Sequence, residues 1–204
     1  MRDERKEISM YLYHYFDKKR GPFLSLSDLS DDQVQKLINN YRAEDKSSGM
    51  KTVVGSVYSD ENIGIRRNQE YMTRTTFIEK GGKPVRQFPY YMILGNDDPS
   101  FQKGLEGWYH YGESIKIPVE EFDMATISFT YGDQCQTVNP SELENFKLQK
   151  YRPPVYTYDE ILEVINERGW LFVTEKDWSE PWYVEAQVWS DDNALEKYRQ
   201  LYRV

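Results

Sequence analysis

The chain has 204 residues, 39% of them apolar, with a formal net charge of −8 and a pI near 5.0. That length suits one sizeable domain able to bury a core without metals or disulfides. The acidic balance excludes a main task of neutralising phosphate backbones, because such binding runs on clustered Lys and Arg, so no general nucleic-acid binding is expected. The single cysteine, Cys135, cannot close an internal disulfide, which fits a reducing compartment. The charged opening from Met1 to Glu7 precedes no long apolar stretch, so neither a signal peptide nor a membrane span is expected. The reading is a cytoplasmic protein whose residues 1–8 form a disordered extension.

In chain order, Ser9 to Phe16 is rich in β-formers: Tyr11, Tyr13 and Tyr15 point to one side of a strand, and Leu12, His14 and Phe16 to the other. Ser30 and Gln33 form a capping-box pattern ahead of a helix with Val34, Leu37, Ile38 and Tyr41 on one stripe. A weak strand is predicted over Thr52 to Tyr58. A second helix runs from about Glu61 to Lys80, with Arg67 and Arg74 two turns apart on one face and Gly81-Gly82 as the stop. Tyr90 to Leu94 reads as a buried strand, and Ile115 to Ile117 and Thr126 to Tyr131 as further strands. Asn139-Pro140 starts a short helix toward Leu148.

Thr157 and Glu160 repeat the capping box before Ile161, Leu162 and Ile165, with Gly169 as the stop. A last strand spans Tyr183 to Trp189, and a final helix carries Ala194, Leu195, Tyr198, Leu201 and Tyr202. Strands and helices do not alternate regularly. The expected fold is therefore a single α+β domain, with a mixed or mainly antiparallel sheet and four to five helices packed around it.

The chemistry on offer is narrow. The two histidines, His14 and His110, each sit in a Tyr-His-Tyr tripeptide, and imidazole is the side chain that titrates near neutrality. With Cys135 they make three dispersed Cys and His ligands, one short of a structural zinc set, so no metal site is expected. Neither a phosphate-cradling glycine loop ahead of a helix nor a Gly-x-Ser-x-Gly nucleophile elbow is present. Cys135 reads as an inert thiol.

Several stretches together resemble a family of uncharacterised bacterial proteins: Tyr11 to Phe16, Gly21-Pro22-Phe23, Leu26 to Leu29, Phe77 to Pro84, Pro89 to Gly95, Ile127 to Asp133 and Glu185 to Asp191. In that pattern histidine often stands where this chain has Tyr90. More distantly, the order of His14 on the first strand, a hydroxyl and aromatic strand at Ser128 to Tyr131, and Glu185 on the last strand is similar to that of ADP-ribosyltransferase-like proteins. That resemblance implies NAD as cofactor, with His14 holding its ribose, Tyr131 stacking on the nicotinamide, Glu185 stabilising the cation formed at bond cleavage, and Arg67 and Arg74 on the pyrophosphate. In those proteins the glutamate follows Gln or Glu, whereas here Glu185 leads Gln187.

Each of these residues also has a plainer reading. His14 beside Leu12 and Phe16 fits a core histidine, Glu185 a solvent-facing strand carboxylate, and Arg67 and Arg74 ion pairs, Arg67 with Glu70 for example. The functional expectation is a small-ligand or nucleotide-binding protein with an aromatic-lined pocket, catalytic through His14 and Glu185 if transferase-like. Its ligand contacts are Tyr13, Tyr15, Arg67, Arg74, Ser128 and Tyr131. The alternative is a non-catalytic interaction module anchored on exposed Trp178, Trp182, Tyr183 and Trp189.

Overall fold

The computed structural model describes residues 9–48, 60–98, 112–133, 154–171 and 183–202. The Thr52 to Tyr58 strand, the Asn139 helix, His110, Cys135, Trp178 and Trp182 lie outside these residues. Among the described residues five strands form one sheet: β1 (Met10–Asp17), β2 (Tyr90–Asn96), β3 (Gly112–Pro118), β4 (Ile127–Tyr131) and β5 (Val184–Val188). Their order across the sheet is β3-β1-β2-β5-β4, and every neighbouring pair is antiparallel. The described helices are α1 (Asp31–Ser48), α2 (Asp60–Glu79), α3 (Tyr158–Arg168) and the short α4 (Glu196–Gln200). The chain is thus an α+β fold.

The period-2 alternation read from the sequence gives the sheet two chemically different faces. In register, Leu12 faces Leu94 and Ile117, Met92 faces Ala186, and Ala186 faces Phe129. With Phe16, Ile115, Val184 and Val188 these residues make an apolar face that buries the main core against Ile161 and Ile165 of α3. The other face carries Tyr13, Tyr91, Ile93, Ser128, Thr130, Glu185 and Gln187, and α2 lies over part of it, Phe77 packing on Trp189.

Both capping boxes form. The Ser30 amide donates to Gln33 Oε1 (2.9 Å) and the Gln33 amide to Ser30 Oγ (3.3 Å), while Thr157 and Glu160 exchange the same two bonds ahead of α3. Behind Ser30, Val34, Ile38 and Tyr41 are buried, and α1 meets α2 through a small cluster joining Val34 and Ile38 to Ile63. α2 stops at the glycine pair: Gly81 takes φ +90°, and the Gly82 amide donates to Phe77 O (2.9 Å). A Cβ on Gly82 would meet the Phe77 ring at 2.6 Å, so the second glycine is required by packing.

The final helix differs from its expected form. The Asp191 side chain accepts from the Asn193 amide (2.8 Å) and starts a tight 3-10 turn over Asp192–Leu195, so only Glu196–Gln200 remain as α-helix.

Candidate functional site

His14 is buried on the apolar face of β1 and has both ring nitrogens engaged. Nδ1 lies 3.1 Å from the carbonyl of Tyr91, and Nε2 accepts the Phe23 amide at 2.8 Å. An amide can only donate and a carbonyl only accept, so the imidazole is neutral with its proton on Nδ1. Burial pushes its pKa down to about 4, the Arg199 guanidinium adding to that and the Tyr91 carbonyl opposing it. Phe23 stacks on the imidazole at 4.6 Å between centroids and leans on Tyr90 at 5.7 Å. Tyr90 donates to Asp192 (2.8 Å) and accepts from Arg199 (2.7 Å). Burial and then the bond to Asp192 raise its phenol to about 12.

Glu185 sits on the opposite face, two strands from β1, and is buried at 5% exposure rather than solvent-facing. Gln187 organises this row: its Nε2 donates to Glu185 Oε1 (2.8 Å) and Thr130 Oγ1 (3.1 Å), and its Oε1 accepts from Ser128 Oγ (2.8 Å). Ser128 Oγ in turn accepts from Trp189 Nε1 (2.9 Å). From α2, Glu70 is fully buried, and its Oε1 accepts from Arg66 Nε and the Tyr91 hydroxyl, both at 2.9 Å.

The structure does not bring His14 and Glu185 together. The sheet separates them, and no substrate seated on one face touches both. Tyr131 is on the apolar face with its hydroxyl on Gly169 O (3.0 Å), away from Ser128 on the other side. Tyr13 and Tyr15 share the face of Glu185, but the buried Tyr13 hydroxyl is spent on Asn96 O (2.8 Å). Of the proposed interface aromatics, Tyr183 and Trp189 are buried core residues. Among the described residues no group of three or more His, Cys, Asp and Glu is placed to hold a metal, and no helix is long and apolar enough to cross a membrane.

Arg67 and Arg74 are brought together. With Tyr71 between them they form one stripe of α2, at spacings of four and three residues, and line a groove of about 530 Å3. Its other wall is the irregular stretch carrying Val85, Gln87 and Phe88, held in place because the amides of Val85 and Arg86 donate to Trp189 O, both at 2.9 Å. Arg67 pairs with Asp31 (2.6 Å) rather than with Glu70, and bonds the carbonyls of Ser27 and Leu29. Glu70 takes Arg66 instead, four residues earlier. Arg74 bonds the carbonyls of Arg86 and Pro84, each at 3.0 Å.

No family model, curated protein or solved structure matches the chain. The groove's geometry therefore carries the functional argument. Sequence reasoning found the two arginines by helical spacing, and the same spacing marks Tyr71. Phe88 carried no such signal, because tertiary bonds, those of Arg74, Trp189 and Arg86 among them, fold residues 84–88 back along α2.

Proposed function

We propose that the protein binds a small nucleotide-like ligand in the groove between α2 and residues 85–88. One observation carries this reading: in a chain of net charge −8, the described residues that line the groove include two arginines and two aromatic residues and no carboxylate. Aromatic faces accept a flat heterocycle, and a cationic wall attracts its anionic substituent. Tyr71 is 66% exposed, so its ring is accessible to a ligand without rearrangement of the core. NAD, implied by the transferase resemblance, belongs to this ligand class. The catalytic roles of His14 and Glu185 form no part of the proposal, because they occupy opposite faces of the sheet. A cytoplasmic setting, where nucleotides abound and a lone thiol stays reduced, accords with it.

The test is a thermal-shift screen with NAD, AMP, adenosine and free sugars at millimolar concentration, since a ligand that binds only the folded state raises its apparent stability. The expected result is a rise in Tm with the nucleotides that Tyr71→Ala diminishes. Unchanged Tm with every nucleotide would sink the proposal.

A further inference from the structure

We infer that Arg74, and not Arg67, reads the anionic end of the ligand, and that the group it takes is a phosphate monoester adjacent to the ligand's ring; this rests on the groove being the binding site. The two arginines share a stripe of α2 but differ in what their charge already meets. Arg67 spends one donor on the Asp31 carboxylate and others on Ser27 O and Leu29 O, so it ties the 27–31 turn to α2 and its charge is compensated. Among the described residues Arg74 meets only carbonyl oxygens and pairs with no carboxylate.

The two carbonyl bonds of Arg74 use Nε–H and one Nη2–H. A guanidinium has five N–H donors, so three remain, including both on Nη1. These belong to a fork whose orientation is fixed by Pro84 O and Arg86 O on the far wall, leaving little side-chain freedom to lose on binding. A planar edge of parallel N–H groups matches two oxygens of one phosphate. Tyr71 lies three residues before Arg74 on the same stripe, and Phe88 faces the groove from the opposite wall. A ring held by these aromatics places its phosphate within one helical turn, the proportions of a nucleoside monophosphate.

The experiment is calorimetric titration of AMP and adenosine at fixed ionic strength into the wild type and the Arg74→Gln, Arg74→Lys and Arg67→Lys variants. The wild type is expected to bind AMP about 10-fold or more tighter than adenosine, the worth of a charge-assisted bidentate contact. Arg74→Gln brings that ratio close to one while adenosine still binds, Arg74→Lys keeps part of it, and Arg67→Lys keeps it whole. Because the ratio is taken within each variant, a general loss of stability does not move it. As a second readout, inorganic phosphate shifts the Arg74 Nε–H resonance of the wild type and leaves that of Arg67 in place. Equal affinity for AMP and adenosine in the wild type, or a ratio that survives Arg74→Gln, overturns the inference while the groove remains a binding site. Absence of binding by both compounds removes the proposed function as well.

Discussion

At His14 a single imidazole joins three parts of the chain: its own strand, the Tyr91 carbonyl of β2 and the Phe23 amide in the loop after β1. Phe23 has φ +60°, a left-handed conformation that costs a non-glycine residue about 1 kcal/mol, and the imidazole's acceptor lone pair helps hold it there. Protonation would turn Nε2 into a second donor facing that amide, beside the Arg199 guanidinium and within a shell of Phe16, Phe23 and Tyr90. The folded pKa is about 4 against an ordinary 6.5, so between these values the unfolded chain holds the extra proton. Stability from this residue is complete above pH 6.5 and is lost as pH falls toward 4, about 3 kcal/mol in all. Urea denaturation at stepped pH should show that slope. His14→Asn should lack it while being less stable at pH 7, since the Phe23 amide and the Tyr91 carbonyl lose their partner; an unchanged slope in the variant would refute the account.

At the scale of elements, α3 was the most legible, because its start and stop are both local. Thr157 and Glu160 satisfy the first free amides of the helix, and Gly169 closes it at φ +90° with its amide on Ile165 O (2.8 Å). Thr157→Ala should therefore cost about 1 kcal/mol, lowering Tm by about 2–4 °C in a chain of this size, readable by calorimetry. Glu160 also receives Lys80 from beyond the end of α2 (2.9 and 2.8 Å), a contact between distant segments that no local pattern announces. The shortening of the last helix was hidden for a related reason. Ala194, Leu195 and Tyr198 keep helical spacing, but the Asp191 carboxylate offers the backbone a competing turn.

For the molecule as a whole, the polar row on the second sheet face is where packing and hydrogen bonding are most tightly coupled. Ser128, Thr130 and Gln187 are fully buried and are satisfied by one another, by Glu185 and by Trp189. Replacing Gln187 with leucine removes one interior hydrogen bond from each of the Ser128 hydroxyl, the Thr130 hydroxyl and the Glu185 carboxylate. The expected loss is about 3 kcal/mol, measured as a fall in the urea midpoint with an unchanged m-value. A loss below about 0.5 kcal/mol, the range of ordinary surface changes, would show that the row is solvated rather than buried.

Period-2 alternation by itself determined which residues share a sheet face, putting Leu12, His14 and Phe16 on one side of β1 and Glu185 with Gln187 on one side of β5, because pleated backbone leaves no other choice. Capping pairs likewise marked the starts of α1 and α3, and glycine stops the ends of α2 and α3, since they act within one turn of chain. Which face of β1 matches which face of β5 depends on strand order and register, and the order β3-β1-β2-β5-β4 sets His14 and Glu185 apart. The same long-range pairing buries Glu185, commits Arg67 to Asp31, and brings residues 84–88 against α2 with Arg74 free of any carboxylate among the described residues. Local sequence sets backbone conformation within a few residues. Partners separated by tens of residues are chosen by how the sheet closes, and the groove exists only once that choice is made.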